Sequence, residues 1–92
     1  MAEAPGSEEG IDEGLVTATL AYLAGSIVEH PDDVEVTSSP GDGGAIVFRL
    51  KVNQEDMGRI IGRRGRTARA IRQVTRAAAT KAGIHAIIEI VD

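Results

Sequence analysis

Apolar side chains recur along this chain in two periods. Val16, Leu20, Leu23 and Ile27 fall at spacings of four, three and four residues, the stripe of an amphipathic helix over residues 11–29. His30-Pro31 ends it, because proline cannot continue helical hydrogen bonding and pushes the preceding residue out of the α region. The period then changes to two. Val34 and Val36 alternate with Glu35 and Thr37, a half-buried strand over 34–38, and after a turn at 40–44 Ile46, Phe48, Leu50 and Val52 alternate with Val47, Arg49 and Lys51. Asn53 supplies an N-cap with Glu55 and Asp56 in the first turn, which predicts a short helix over 54–60 that Gly62 stops. The next helix is expected over 66–82. On a helical wheel Ile71, Val74, Thr75, Ala78 and Ala82 fall within about a third of the circumference, and Arg66, Arg69, Arg72 and Arg76 fall on the opposite third. One face packs and the other is cationic. Gly83 ends this helix, and 84–91, rich in β-branched residues, is a third strand.

Between the last two helices stands Arg59-Ile60-Ile61-Gly62-Arg63-Arg64-Gly65-Arg66. Two glycines three apart let the backbone turn tightly and approach a phosphodiester, while the side chains between them project as a cationic clamp. Spacing alone is weak evidence, since eleven glycines in 92 residues give roughly one such pair by chance. A second pair does occur, at Gly41-Asp42-Gly43-Gly44. It carries an acid where the first carries two arginines, and it follows Pro40, so it reads as a hairpin loop.

Charge segregation strengthens the first pair. The net charge of −4 hides ten acids and no Lys or Arg in residues 1–48, and all ten basic residues beside only Glu55 and Asp56 in residues 49–81. The molecule is bipolar, with its positive pole centred on the loop. A basic run is more often only a solvated helix face, and that reading stands beside the functional one.

Length and composition exclude much else. Ninety-two residues make one domain with one modest core and no room for a large active-site cleft. With no cysteine there are no disulfides, thiolate metal sites or thiol nucleophile, which suits a reducing cytoplasm. Residues 1–10 are acidic, with neither a basic nor an apolar region of a signal peptide, and are expected to form a disordered arm before a domain over 11–92. No apolar run is long enough to span a bilayer. A nucleotide-binding P-loop would need Lys before Thr67 and Gly five places before Gly65, where the chain has Arg66 and Ile60. His30 and His85 lack ligand spacing, so no metal and no cofactor is expected, and the pairs Asp32-Asp33 and Glu55-Asp56 read as element starts and not as a general acid and base. No catalytic constellation is present. Only Tyr22 and Phe48 are aromatic, which argues against a stacking platform for bases.

Ile60-Ile61-Gly62-Arg63-Arg64-Gly65, followed by Ala68 and Ile71, resembles the signature of a KH RNA-binding domain, and the element order resembles the bacterial type II arrangement. The segments His30-Pro31-Asp32-Asp33-Val34-Glu35-Val36, Glu55-Asp56-Met57-Gly58-Arg59-Ile60-Ile61-Gly62, Thr67-Ala68-Arg69-Ala70-Ile71-Arg72 and Ile88-Glu89-Ile90-Val91-Asp92 are similar to the small single-KH proteins of the bacterial KhpA group. The resemblance covers about residues 11–92; the departures are the acidic extension and arginine where the group often has lysine in the loop. It implies an α+β fold of order α-β-β-α-α-β, a three-stranded mixed sheet with helices on one face. It also implies a cytoplasmic RNA-binding protein or RNA chaperone that forms a homodimer or pairs with a KhpB-type KH protein.

Single-stranded RNA is the expected ligand, with Arg59, Ile60, Ile61, Gly62, Arg63, Arg64, Gly65, Arg66 and Arg69 as the candidate binding residues. By resemblance, Ile60, Ile61, Ala68 and Ile71 line or support the floor of a groove whose far wall is the strand near 47–51; by periodicity Ile71 belongs to the core. The alternative is a protein-interaction module, motivated by Val47, Ile87 and Val91, which alternation places opposite the main apolar stripes.

Overall fold

Phe48 and Leu50, from the clearest alternating segment, are fully buried at the centre of a three-stranded sheet. The computed structural model describes the backbone of residues 4–92 and side chains from Asp12 onward. Strands β1 (Glu35–Pro40), β2 (Ile46–Lys51) and β3 (Ala86–Val91) lie in the order β1-β2-β3, with β1 antiparallel and β3 parallel to β2. A parallel pair needs a crossover, here made by helices α2 (Met57–Ile61) and α3 (Arg66–Lys81). Helix α1 (Ala4–Gly25) precedes the sheet and packs on α3, with α1 against β1 and α3 against β3. Val16, Leu20 and Ala24 of α1, Ile60 of α2, and Ile71 and Ala79 of α3 meet Phe48, Leu50 and Ile88 in one core. Each large apolar side chain buried there contributes about 1.5–3 kcal/mol. The α+β class, the mixed sheet and the element order are those expected from the sequence.

The differences lie at the ends of elements and in one helix face. Helix α1 starts at Ala4 and not at residue 11; Pro5 sits in its first turn, where a missing N–H costs no helical bond. Residues 1–3 of the expected arm lie outside the described residues. The same helix stops at Gly25, four residues before the expected end, because the N–H groups of Glu29 and His30 donate to the Asp56 carboxylate instead of to helical carbonyls. Strand β3 starts two residues late because Gly83 N–H donates to the Thr80 carbonyl (3.0 Å) and Ile84 N–H to the Ala79 carbonyl (2.8 Å), a Schellman closure of α3. Helix α3 is also rotated from the expected face. Ala68, Ile71, Thr75 and Ala79 are buried whereas Val74 is 50 % exposed, since close packing against sheet and helix selects the small residues Ala68 and Ala79.

The second glycine pair closes the β1–β2 hairpin, with Gly41 N–H donating to the Ala45 carbonyl at 2.8 Å. On the sheet face away from the helices, strand register sets Val47 beside Ile87 and Lys51 beside Val91. Between these rows the Arg49 guanidinium forks onto Glu89, with Nε and Nη2 at 3.0 and 2.9 Å from Oε1.

Candidate nucleic-acid interface

The position of the glycine loop is set by the start of the helix before it. Asn53 acts as the expected cap, its side-chain oxygen accepting from Glu55 N–H at 2.8 Å. Asp56 stands at the element start expected from the sequence, and it is also a buried carboxylate. Its oxygens accept from the backbone N–H groups of Glu29 and His30 and contact His30 Nδ1, each at 3.0 Å. One side chain thus ties the turn after α1 to the base of α2. Burial pushes the Asp56 carboxyl up, but the backbone bonds from Glu29 and His30 and the imidazole prevail and hold it below its ordinary value. The hydrogen bond to Asp56 and the nearby charges of Asp56, Glu55 and Asp33 raise His30 above its own, against a smaller effect of desolvation.

Gly62 ends α2 with φ 73° and ψ −179°, a region essentially closed to residues bearing a side chain. A Cβ there would lie 2.7 Å from Thr67 Cβ, so Thr67 braces the loop against the start of α3. Gly65 has φ 73° and ψ 13°, and a Cβ there would meet nothing within 4 Å. Between them Arg64 takes φ 57° and ψ 27°, the left-handed conformation that costs a side-chain-bearing residue about 1–2 kcal/mol. That conformation holds its side chain at the exposed tip of the loop. Gly62 N–H donates to the Gly58 carbonyl, Gly65 N–H to Gly62, and Arg66 N–H to Arg63. Helix α3 follows Gly65, which places no side-chain cap on its first N–H groups. The N–H groups of an uncapped first turn have no helical partner and suit an anion.

Two adjoining hollows carry the cationic side chains. Arg63, Arg64 and Arg66 line one of about 400 Å³. The other, about 420 Å³, is a groove with Ile61 and Ala68 at its apolar part and Arg69, Arg72, Gln73 and Arg76 along α3. Among the described residues, no carboxylate lies within ion-pair distance of any of these six arginines. Three features of α3 oppose its stability at once: cations in its first turn, like charges three and four residues apart, and a missing N-cap. A bound polyanion offsets all three.

The candidate residues divide in space. Ile61, Gly62, Arg63, Arg64, Gly65, Arg66 and Arg69 come together around the loop and groove. Ile60 is buried in the core, as is Ile71, so these two support the floor from beneath. Arg59 is drawn to the other side of α2, its guanidinium 2.9 Å from Glu29 and 3.8 Å from Asp56. Strand β2, expected as the far wall, is the central strand with both edges hydrogen-bonded, and the strand packed beside α3 is β3. Thr67 and Asp56 were not among the candidates. A small residue two places after the second glycine and a carboxylate three after a cap are the only signals the sequence holds for them.

A hollow of about 650 Å³ elsewhere is lined by Asp32, Asp33, Glu35 and Asp92 together with Lys51 and Asn53, a carboxylate-rich surface that repels phosphate. Among the described residues no three His, Asp or Glu side chains gather as metal ligands.

An α-β-β-α-α-β chain with a cationic glycine-bracketed loop between its last two helices is a KH domain of the type II arrangement. This chain belongs to the KhpA/KhpB KH-domain family, whose model matches residues 17–90. It is similar to the RNA-binding protein KhpA of Halalkalibacterium halodurans, 45% identical over 73 residues that span 79% of this chain and 95% of the relative. The RNA-binding protein KhpA of Leifsonia xyli subsp. xyli is 40% identical over 78 residues, 85% of this chain and 99% of that one. Among solved structures, Era from Aquifex aeolicus bound to GDP and aluminium fluoride superposes with a TM-score of 0.61 at 19% identity, over 84% of this chain and 30% of Era. Era in complex with MgGDPNP and a segment of 16S ribosomal RNA gives a TM-score of 0.59 at 20% identity, over 84% and 29%. At these identities the likeness to Era is one of fold.

Proposed function

We infer that this protein binds single-stranded RNA through its glycine loop, acting as a small post-transcriptional RNA-binding protein or RNA chaperone. The observation that carries the inference is the convergence of Arg63, Arg64 and Arg66, without a carboxylate partner among the described residues, on the uncapped start of α3. Phosphate oxygens accept from the amides and guanidinium groups, and the bases turn toward Ile61 and Ala68, with Arg69 alongside. Recognition of this kind grips about four nucleotides by shape and charge. Gly62 lets the backbone close on the phosphate, Ile60 supports the loop from the core, and Arg59 orients α2 through Glu29. The family relationship supports this reading, because two relatives similar to this chain are named RNA-binding proteins. The family is one of RNA-binding KH domains and not of enzymes.

The KH domain occupies residues 11–92 behind an acidic segment over 1–10, and the protein works in the cytoplasm; among the described residues no helix is long and apolar enough to cross a membrane. Its partners are a second copy or a KhpB-type KH protein, a reading supported by a family model that spans both KhpA and KhpB domains.

Fluorescence anisotropy of a labelled, unstructured RNA of about twenty nucleotides tests the loop. Saturable wild-type binding, reduced at least tenfold in a folded Arg63→Asp/Arg64→Asp variant, is expected. Equal binding by both proteins contradicts the reading.

The adaptor reading has its own observation. Ile87 is 38 % exposed beside Val47, and Leu15 and Tyr22 are largely exposed on α1. The Arg49–Glu89 pair interrupts the sheet face, which leaves only a small apolar patch there. A strict monomer by light scattering at tens of micromolar contradicts self-association.

A further inference from the structure

We propose that the RNA track continues past the glycine loop along α3, with Arg72 and Arg76 holding the phosphates of the nucleotides that follow those gripped by the loop. The proposal rests on the loop reading and extends its footprint.

The groove is the first argument. It is continuous from Ile61, beside the loop, to Arg76, nearly three turns into α3, and its charged members all come from that one helix. Arg66 and Arg76 are ten residues apart, so the cationic line is about 15 Å long, and its members recur at three or four residues, about 5 Å of axial rise. That repeat is a little shorter than the spacing of successive phosphates in an extended strand, and the long arginine side chains span the difference.

The charge pattern is the second. A merely solvated helix face interleaves acids with bases, because Glu and Arg one turn apart attract. Helix α3 has Arg66, Arg69, Arg72, Arg76 and Lys81 and no acid at all. Arg69 and Arg72 are three apart, Arg72 and Arg76 four apart, and like charges at both spacings destabilise a helix. Arg72 is also half-buried, partly withdrawn from water without a carboxylate in reach among the described residues. A phosphate chain in the groove supplies the missing countercharge, and guanidinium groups suit it because each presents two parallel donors.

The experiment compares RNAs of about four and about ten nucleotides, binding to wild type, Arg72→Gln/Arg76→Gln and Arg63→Asp/Arg64→Asp, over a fourfold range of salt. Glutamine keeps helix propensity and removes the repulsion, so the glutamine pair is expected to melt at or above the wild-type temperature. On the longer RNA it is expected to reduce the salt exponent by about 1.4, so that the loss of affinity over the salt range shrinks about sevenfold. On the shorter RNA it is expected to resemble wild type. Wild-type affinity and salt exponent of the glutamine pair on the longer RNA, with the loop variant impaired, overturn the α3 track alone. A loop variant that binds both RNAs as wild type does overturns the loop reading and the track with it.

Discussion

Thr67 stands where a side chain at Gly62 would have to go. The clash with Thr67 Cβ at 2.7 Å adds to a backbone conformation reserved for glycine. Gly65 shares the positive φ without the crowding. Gly62→Ala is therefore expected to cost about 3 kcal/mol, on the order of 15 °C in melting temperature, and Gly65→Ala about 1 kcal/mol. Thermal unfolding of the two variants checks the ratio; equal losses would mean that Thr67 does not brace the loop.

Arg64 holds a left-handed conformation that glycine adopts freely. Arg64→Gly is expected to raise stability by up to about 1 kcal/mol and to weaken RNA binding, a separation of fold from function. Denaturant unfolding and an RNA titration on the same sample measure both. A glycine variant that binds RNA at full strength removes Arg64 from the clamp.

His30 and Asp56 make stability depend on pH at both ends. Asp56 has a lowered pKa, so its contribution is complete above the ordinary value of 3.8 and is lost as pH falls through the folded value beneath it. His30 has a raised pKa, so its contribution is complete below 6.5 and is lost as pH rises through the folded value above it. The pair contributes fully between these limits. The melting temperature of wild type minus that of His30→Gln is expected to be largest in this window and to shrink toward alkaline pH. A difference that grows with pH contradicts the assignment.

Thr75 lies in the core with its hydroxyl bonded to no partner among the described residues. Thr75→Val keeps the shape and removes the unsatisfied group, so a gain of about 1 kcal/mol is expected, read as a rise of roughly 4–8 °C in melting temperature. A loss of stability would mean that the hydroxyl has a partner, such as an ordered water.

Most of the architecture is legible in the pattern of apolar positions. The alternation through Phe48 and Leu50 specifies the central strand because one-residue slippage would expose both. The loop is legible because its glycines and arginines act locally. What periodicity misses depends on tertiary partners. Helix α3 buries Ala79 and exposes Val74 because helix packing rewards close approach over hydrophobicity, and α1 ends early because Asp56, 27 residues away from Glu29, takes its amide. Arg59 looks like part of a cationic run in sequence, and only the return of the chain beside Glu29 diverts it.

We infer that the backbone from Gly62 to Arg66 and the adjoining face of α3 hold the RNA. Amide chemical shifts of the ¹⁵N-labelled protein, followed as unstructured RNA is added, test it directly. The expected result is a contiguous set of shifting amides at Ile61 to Arg69, strongest at Arg63 and Arg64, with Arg72 and Arg76 joining on longer RNA. Shifts confined to Val47, Arg49 and Ile87 on the open face of the sheet, with the loop unmoved, would contradict it.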